Sequence, residues 1–240
     1  MSVTAQGPVR GNHLLSQLSD EAYALLAPSL EHVKVKHKQV LHERDRPYTH
    51  IYFPVTCVIS AILPMLDGKG VEVGSVGNEG FSAVEILTGT QSTLNNYIAQ
   101  IAGDAFRMTA TGFMQAVERS PELRKVTASF LHGLLSQAFQ SVACNRLHTV
   151  DQRFARWILL TQDRVGGDDF YLTQEFIASM LGVHRPTVSL VATEFQRSGL
   201  IRFSRGNVFV LNRKGLEEAS CECYSNVQNQ FQRLLGIQYG

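Results

Sequence analysis

Between Tyr171 and Leu200 the chain reads YLTQEFIASMLGVHRPTVSLVATEFQRSGL, an order of residues that few arrangements satisfy. Thr173 offers a helix N-cap, and Phe176, Ile177, Met180 and Leu181 recur at helical spacing behind it. Gly182 supplies the backbone freedom that a sharp turn needs. Pro186 stands where only a first helical turn tolerates it, and Val188, Val191, Ala192 and Phe195 continue a second helix. Ala178 is small enough for close helix approach, and branched Val188 would lock the second helix onto the first. The stretch predicts a helix-turn-helix.

Such a hairpin can simply pack a core, so charge has to decide. Arg185, Arg197, Arg202, Arg205, Arg213 and Lys214 give six basic residues between Arg185 and Lys214, against the single acid Glu194. The chain as a whole carries a formal charge of only +1, which makes this a local basic face suited to phosphates. Two short strands follow, at Leu200-Ile201 and at Val208 to Leu211, about a Ser204-Arg205-Gly206-Asn207 turn. A hairpin directly after the second helix is a wing. The candidate DNA-contacting residues are Thr173, His184, Arg185, Pro186, Thr187, Ser189, Arg197 and Arg205.

With 240 residues the chain is long enough for two small domains, and 44% hydrophobic with 18% charged residues is an ordinary globular balance. The N-terminus lacks an apolar signal core and no run is long enough to span a bilayer, so a cytoplasmic protein with no membrane partner is expected. The cysteines are read as buried thiols. Cys221-Glu222-Cys223 is tighter than usual zinc spacing and no second pair completes a site, so neither a metal nor another cofactor is expected.

Residues 1 to about 12 are polar and expected to fray. Short helices follow, with Ser19-Asp20 as a cap. From about Val33 to Met108 the period changes to two, with Lys34, Lys36 and Lys38 on the wet side of an edge strand and a hairpin turn at Asp67-Gly68-Lys69-Gly70. The expectation is a compact antiparallel barrel or roll. Ser120-Pro121-Glu122 then opens a long helix whose apolar residues fall at threes and fours. Its stripe must be covered by the roll or by an identical helix, and Val126, Phe130, Leu134, Gln137 and Ser141 are the candidate dimer contacts. A second helix starts near Val150, Gly166-Gly167-Asp168-Asp169 reads as a loop, and the tail after Gly215 reads as one helix.

Roll, long helix and winged helix-turn-helix in that order resemble the bacterial Crp/Fnr family of transcription regulators over nearly the full length. Val76-Gly77-Asn78-Glu79-Gly80 and Leu181-Gly182-Val183-His184-Arg185-Pro186-Thr187-Val188-Ser189 carry the resemblance. It implies an α+β protein. The parts would be an N-terminal jelly-roll (double-stranded β-helix) sensory domain at 1–120, a dimerisation helix at 121–148, and a winged helix-turn-helix domain at 149–240. It further implies a homodimer, not an enzyme, that reads an inverted repeat in double-stranded DNA, with RNA polymerase as a candidate partner and a small-molecule effector in the roll. The competing reading is a small-molecule-binding or enzymatic roll whose helical domain mediates protein contacts.

Departures from the family pattern bear on the effector. Members that bind cyclic AMP place an acid and an arginine at the nucleotide phosphate. Here Glu79, with Asn95 and Asn96, is the candidate pocket, and the stretch around the two asparagines has no arginine, so cyclic AMP is not expected. One cysteine in the sensory region, Cys57, excludes an iron–sulfur cluster there. Haem through His32, His37, His42 or His50 stays open. Pro186 and Leu190 replace residues of the cyclic AMP receptor's recognition helix, so a different operator is expected.

Overall fold

The computed structural model describes residues 10–238 except Asp67 and Lys69; residues 1–9 of the tail and those two turn residues lie outside the described set. The end of the tail is not frayed, contrary to expectation. Asn12 is fully buried, caps α1 (His13–Ser16) by accepting the Leu15 N–H, and donates to the carbonyls of Pro54 and Gly80. Arg10 donates to the carbonyls of Leu15 and Leu18 and pairs with Asp20. Ser19 caps α2 (Asp20–Ala24), as its sequence predicts.

The alternating region folds into seven strands: β1 (Glu31–Val35), β2 (Val40–His42), β3 (His50–Pro54), β4 (Val58–Pro64), β5 (Gly70–Val76), β6 (Asn96–Ile101) and β7 (Gly103–Thr109). They form two antiparallel sheets, ordered β1-β7-β3 and β2-β6-β4-β5. Val35, Tyr52, Ile59, Tyr97 and Ala105, drawn from both sheets, share one core, which makes this the expected roll. Lys34 is exposed on edge strand β1 and pairs with Asp104 at 3.1 Å.

A helix that the periodicity did not reveal, α3 (Ala110–Arg119), follows β7 from a Thr109 cap and buries Phe113, Ala116 and Val117. Next come α4 (Pro121–Leu147), capped by Ser120, and α5 (Val150–Val165), started by a Thr149/Gln152 capping box. The wing domain runs β8 (Asp169–Tyr171), α6 (Gln174–Leu181), α7 (Arg185–Arg197), β9 (Ile201–Ser204) and β10 (Asn207–Val210). Its sheet has the order β8-β10-β9, so Asp169 is in a strand and not in the loop expected of it. The tail is two helices, α8 (Arg213–Ala219) and α9 (Cys223–Leu235), broken at Ser220–Glu222.

The long helix is apolar on two faces, and the residues expected at a dimer contact lie toward the inner one. Phe130 is fully buried in its own chain, its ring centroid 5.2 Å from that of Phe81 and 6.3 Å from that of Phe231. Gln137 is buried against Ser75 and Arg164, Val126 and Leu134 pack on the chain's own core, and Ser141 accepts a bond from Arg156. Phe130 and Gln137 are thus taken up inside their own chain, while Val126, Leu134 and Ser141 are half-buried. The open stripe is Leu135, Phe139 and Val142, 49%, 66% and 71% exposed.

Gly80 is what lets α4 reach the roll. A Cβ there would sit 1.9 Å from the Phe130 ring, far inside contact distance. Gly80→Ala is therefore expected to lower stability by about 2–3 kcal/mol. Thermal unfolding checks this, and Phe130→Leu in the same chain should recover part of the loss.

Candidate nucleic-acid interface

Thr173 Oγ1 accepts the Phe176 N–H at 3.2 Å and starts α6, which ends at Gly182 with φ +64°. Pro186 lies in the first turn of α7, whose N-cap, His184, makes no side-chain capping bond. Val188, Val191, Ala192 and Phe195 form the buried face, with the Phe195 ring edge-on to Phe154 of α5 at 5.3 Å. Opposite them Arg185, Pro186, Ser189, Leu190 and Thr193 line a shallow open groove.

The groove's donors are not all free. Ser189 Oγ donates to Gln174 Oε1 at 2.6 Å, and Thr193 Oγ1 donates to the Ser189 carbonyl at 2.8 Å. Arg185 Nε lies 2.9 Å from Glu175 Oε1, a pair so open to water that it contributes little and exchanges readily. Thr187 is half-buried, and its N–H is bound to the His184 carbonyl at 3.0 Å. Leu190, 74% exposed, stands between these polar groups. Arg197 is exposed, 3.9 Å from Glu194.

In the wing, Arg205 (φ +50°) and Gly206 (φ +84°) are both left-handed, as a two-residue turn between twisted antiparallel strands requires. Arg205 is thereby held exposed at the tip. Arg202 stacks 4.2 Å over the Phe209 ring. Arg213, counted with the basic face, does not belong to it. Its guanidinium is 2.8 Å from buried Asp163 and 3.0 Å from Glu217, and it also donates to Gln162 and Tyr224.

The candidate pocket in the roll does not assemble. Glu79, fully buried, bonds Arg164 Nε of α5 at 2.9 Å and accepts the Gly77 N–H at 3.0 Å. An arginine thus does face Glu79, against expectation, but it comes from a helix 85 residues away and also donates to Ser75 and Gln137. Asn96 instead accepts the Arg44 N–H, and Asn95 donates to Glu85. Elsewhere in the roll His42 packs edge-on against Tyr48, Tyr52 and Tyr97, with Nε2 2.9 Å from Ser82 Oγ. The Tyr97 phenol donates to Glu85 at 2.8 Å. Aromatic rings occupy this interior.

The cysteines divide. Cys57 is a buried thiol in the roll, pushed up to about 12 by burial. Cys221 and Cys223 meet Cys144 and His148, a second pair that local spacing does not reveal because it lies more than 70 residues back, at the end of α4.

Residues 152–219 match the family described as the Crp-like helix-turn-helix domain. Solved structures similar to the chain include FixK2 from Bradyrhizobium japonicum, with a TM-score of 0.65 at 15% identity over 80% of this chain and 98% of that one. A Crp/Fnr-family transcriptional regulator from Thermus thermophilus gives 0.61 at 22% identity, covering 79% and 98% of the two chains. A Crp/Fnr-family protein from Eubacterium rectale gives 0.60 at 20%, covering 86% and 96%. No curated protein matches the chain in sequence. This chain has the fold and the helix-turn-helix domain of a Crp/Fnr-type DNA-binding transcription regulator. Among the described residues no helix is long and apolar enough to cross a membrane.

Burial among the tyrosines holds the His42 imidazole down, from 6.5 to about 4. Above pH 6.5 the ring is neutral whether the chain is folded or not. As pH falls from there toward 4, the unfolded chain takes up a proton that the folded chain refuses, so stability falls. The loss should reach about 3 kcal/mol near pH 4. Denaturant titrations across this window, compared with His42→Gln, should show a shallower pH slope in the variant.

Proposed function

We propose that this chain is a homodimeric, sequence-specific regulator that binds an inverted repeat in double-stranded DNA. The sensory roll would occupy 1–120, the dimerisation helix 121–148 and the DNA-binding domain 149–240. The observation that carries the reading is the open outer face of α7, where Arg185 and Leu190 project beside a wing whose turn presents Arg205. A guanidinium fork at the start of a recognition helix suits guanine O6 and N7, and an exposed leucine suits a thymine methyl. Arg205 at a wing tip suits phosphate. Thr173, by contrast, caps α6 through its side chain and Ser189 is tied to Gln174, so their contributions to DNA are positional.

Dimerisation is assigned to Leu135, Phe139 and Val142, an apolar stripe at helical spacing that a monomer would leave in water. A two-fold dimer reads a two-fold site, with half-site centres about one helical turn apart. RNA polymerase would be the partner of the DNA-bound dimer. Cyclic AMP is not the effector, because the acid expected at its phosphate is bound to Arg164 inside the protein. A concavity of about 430 Å³ beside α3, bordered by Tyr48, Ile86, Gln91 and Met114, is the place a small effector would enter.

Phe139→Glu should convert the dimer to a monomer in sedimentation at micromolar concentration and weaken operator binding. Unchanged mass and affinity would remove α4 from the interface. On an operator selected from random duplexes, Arg185→Ala should cost about 1–3 kcal/mol and relax preference at one base pair per half-site. Arg205→Ala should weaken selected and scrambled duplexes alike and lower the salt slope by about one per subunit. Titrations across salt check both. Equal loss on both duplexes for Arg185→Ala would withdraw its base-reading role.

A further inference from the structure

At the junction of α4, α5 and α9, four ligand-type side chains converge. Cys144 and His148 stand one turn apart at the end of α4, and Cys221 and Cys223 flank Glu222, the N-cap of α9. Their ligand atoms all lie within 4.8 Å of one another. Cys144 Sγ is 3.6 Å from Cys221 Sγ, and Cys223 Sγ is 3.5 Å from His148 Nδ1. Two thiolates each about 2.3 Å from one tetrahedral ion stand about 3.8 Å apart, so the spacing suits a single ion. It is far longer than a disulfide bond of about 2.05 Å. We propose that Cys144, His148, Cys221 and Cys223 form a structural zinc site that clasps the C-terminal helix to the end of the long helix.

The surroundings are those of a prepared site. His148 Nε2 lies 3.2 Å from Glu222 Oε2, which places the ring proton on Nε2 and leaves Nδ1, on the cysteine side, as the ligand. Three thiolates and a neutral imidazole around Zn2+ leave one net negative charge, the thiol protons passing to solvent. Gln140 Nε2, 3.0 Å from Cys223 Sγ, donates toward that charge. Arg156 on α5 donates through Nη2 to Ser141 Oγ at 3.1 Å, and its buried Nε has no hydrogen-bond partner among the described residues. All three cysteines are buried and cluster only with one another, apart from the main core. Soft sulfur with one imidazole in a closed site selects zinc over harder divalent ions.

Position gives the site a consequence. His148 is the C-cap of α4 and Thr149 the N-cap of α5, so the ion would sit at the joint between the long helix and the DNA-binding domain. It would also brace the break between α8 and α9 at Ser220–Glu222.

The test uses the full chain, purified under reducing conditions without chelator or affinity metal, with its metal content measured by mass spectrometry. About one zinc per chain is expected. Cys221→Ser and His148→Gln should each lose it, while Cys57→Ser, altered in the roll, should keep it. Glu222→Gln, an exposed change that leaves all four ligands, should weaken zinc by about 10–100-fold in competition with a chelator. Chelated protein titrated with Co2+ should develop thiolate charge-transfer and tetrahedral d–d bands that saturate at one ion per chain, and its Tm should rise on adding metal. These readouts need no DNA, so they stand or fall apart from the regulator reading. Metal-free protein that shows no such bands with Co2+ would overturn the site, as would equal metal in Cys221→Ser. Iron with acid-labile sulfide would overturn the zinc assignment.

Discussion

The ion pair between Glu79 and Arg164 is what the arrangement of the other parts depends on. Both groups are shut away from water, at 0% and 4% exposure, and each would cost several kcal/mol to bury alone. The cost is offset by a fully bonded setting. The Gly77 N–H serves Glu79, while Ser75 Oγ and Gln137 Oε1 accept from Arg164. Those partners belong to the roll, to α4 and to α5, so one network ties three parts together. Missing side chains make room for it: a Cβ on Gly77 would lie 2.5 Å from the Arg164 stem, and Gly80 does the same service for Phe130.

That joint fixes the helix-turn-helix domain against the roll. Around it α6 lies along β5, with Ser179 Oγ donating to the Gly70 carbonyl at 3.4 Å. The His37 ring stands edge-on to Tyr171 at 5.3 Å. A change in the roll that altered Glu79 or its loop would therefore bear directly on α5, and through Phe154 and Phe195 on α7. In the proposed regulator this is the shortest physical route from a sensory event to the DNA face.

Much of this was legible in the sequence because it is local. Capping residues, Gly182, Pro186 and the spacing of Val188 to Phe195 define the helix-turn-helix without reference to anything distant. The alternation of the roll and the Ser120-Pro121 start of α4 are equally local. What stayed hidden is what depends on long-range meetings. Val76-Gly77-Asn78-Glu79-Gly80 reads as a ligand loop until Arg164 arrives beside it. The two apolar faces of α4 cannot be assigned to interior or partner from spacing alone, which is why Phe130, expected at a partner, packs inside its own chain. Arg213 looks like part of a basic face until Asp163, buried on α5, is seen next to it. Cys144 and His148 gave no signal because the cysteines that complete their cluster lie more than 70 residues on, at the start of α9.

A double-mutant cycle of Glu79→Gln and Arg164→Met, followed by denaturant unfolding, tests the joint most directly. Each single change leaves its buried partner unpaired and should lower stability by about 3–5 kcal/mol. Together they should lower it by less than the sum, because neither member of the pair is left facing a missing partner. Additive losses, within about 0.5 kcal/mol, would show that the two residues act independently and that the joint does not rest on their pairing.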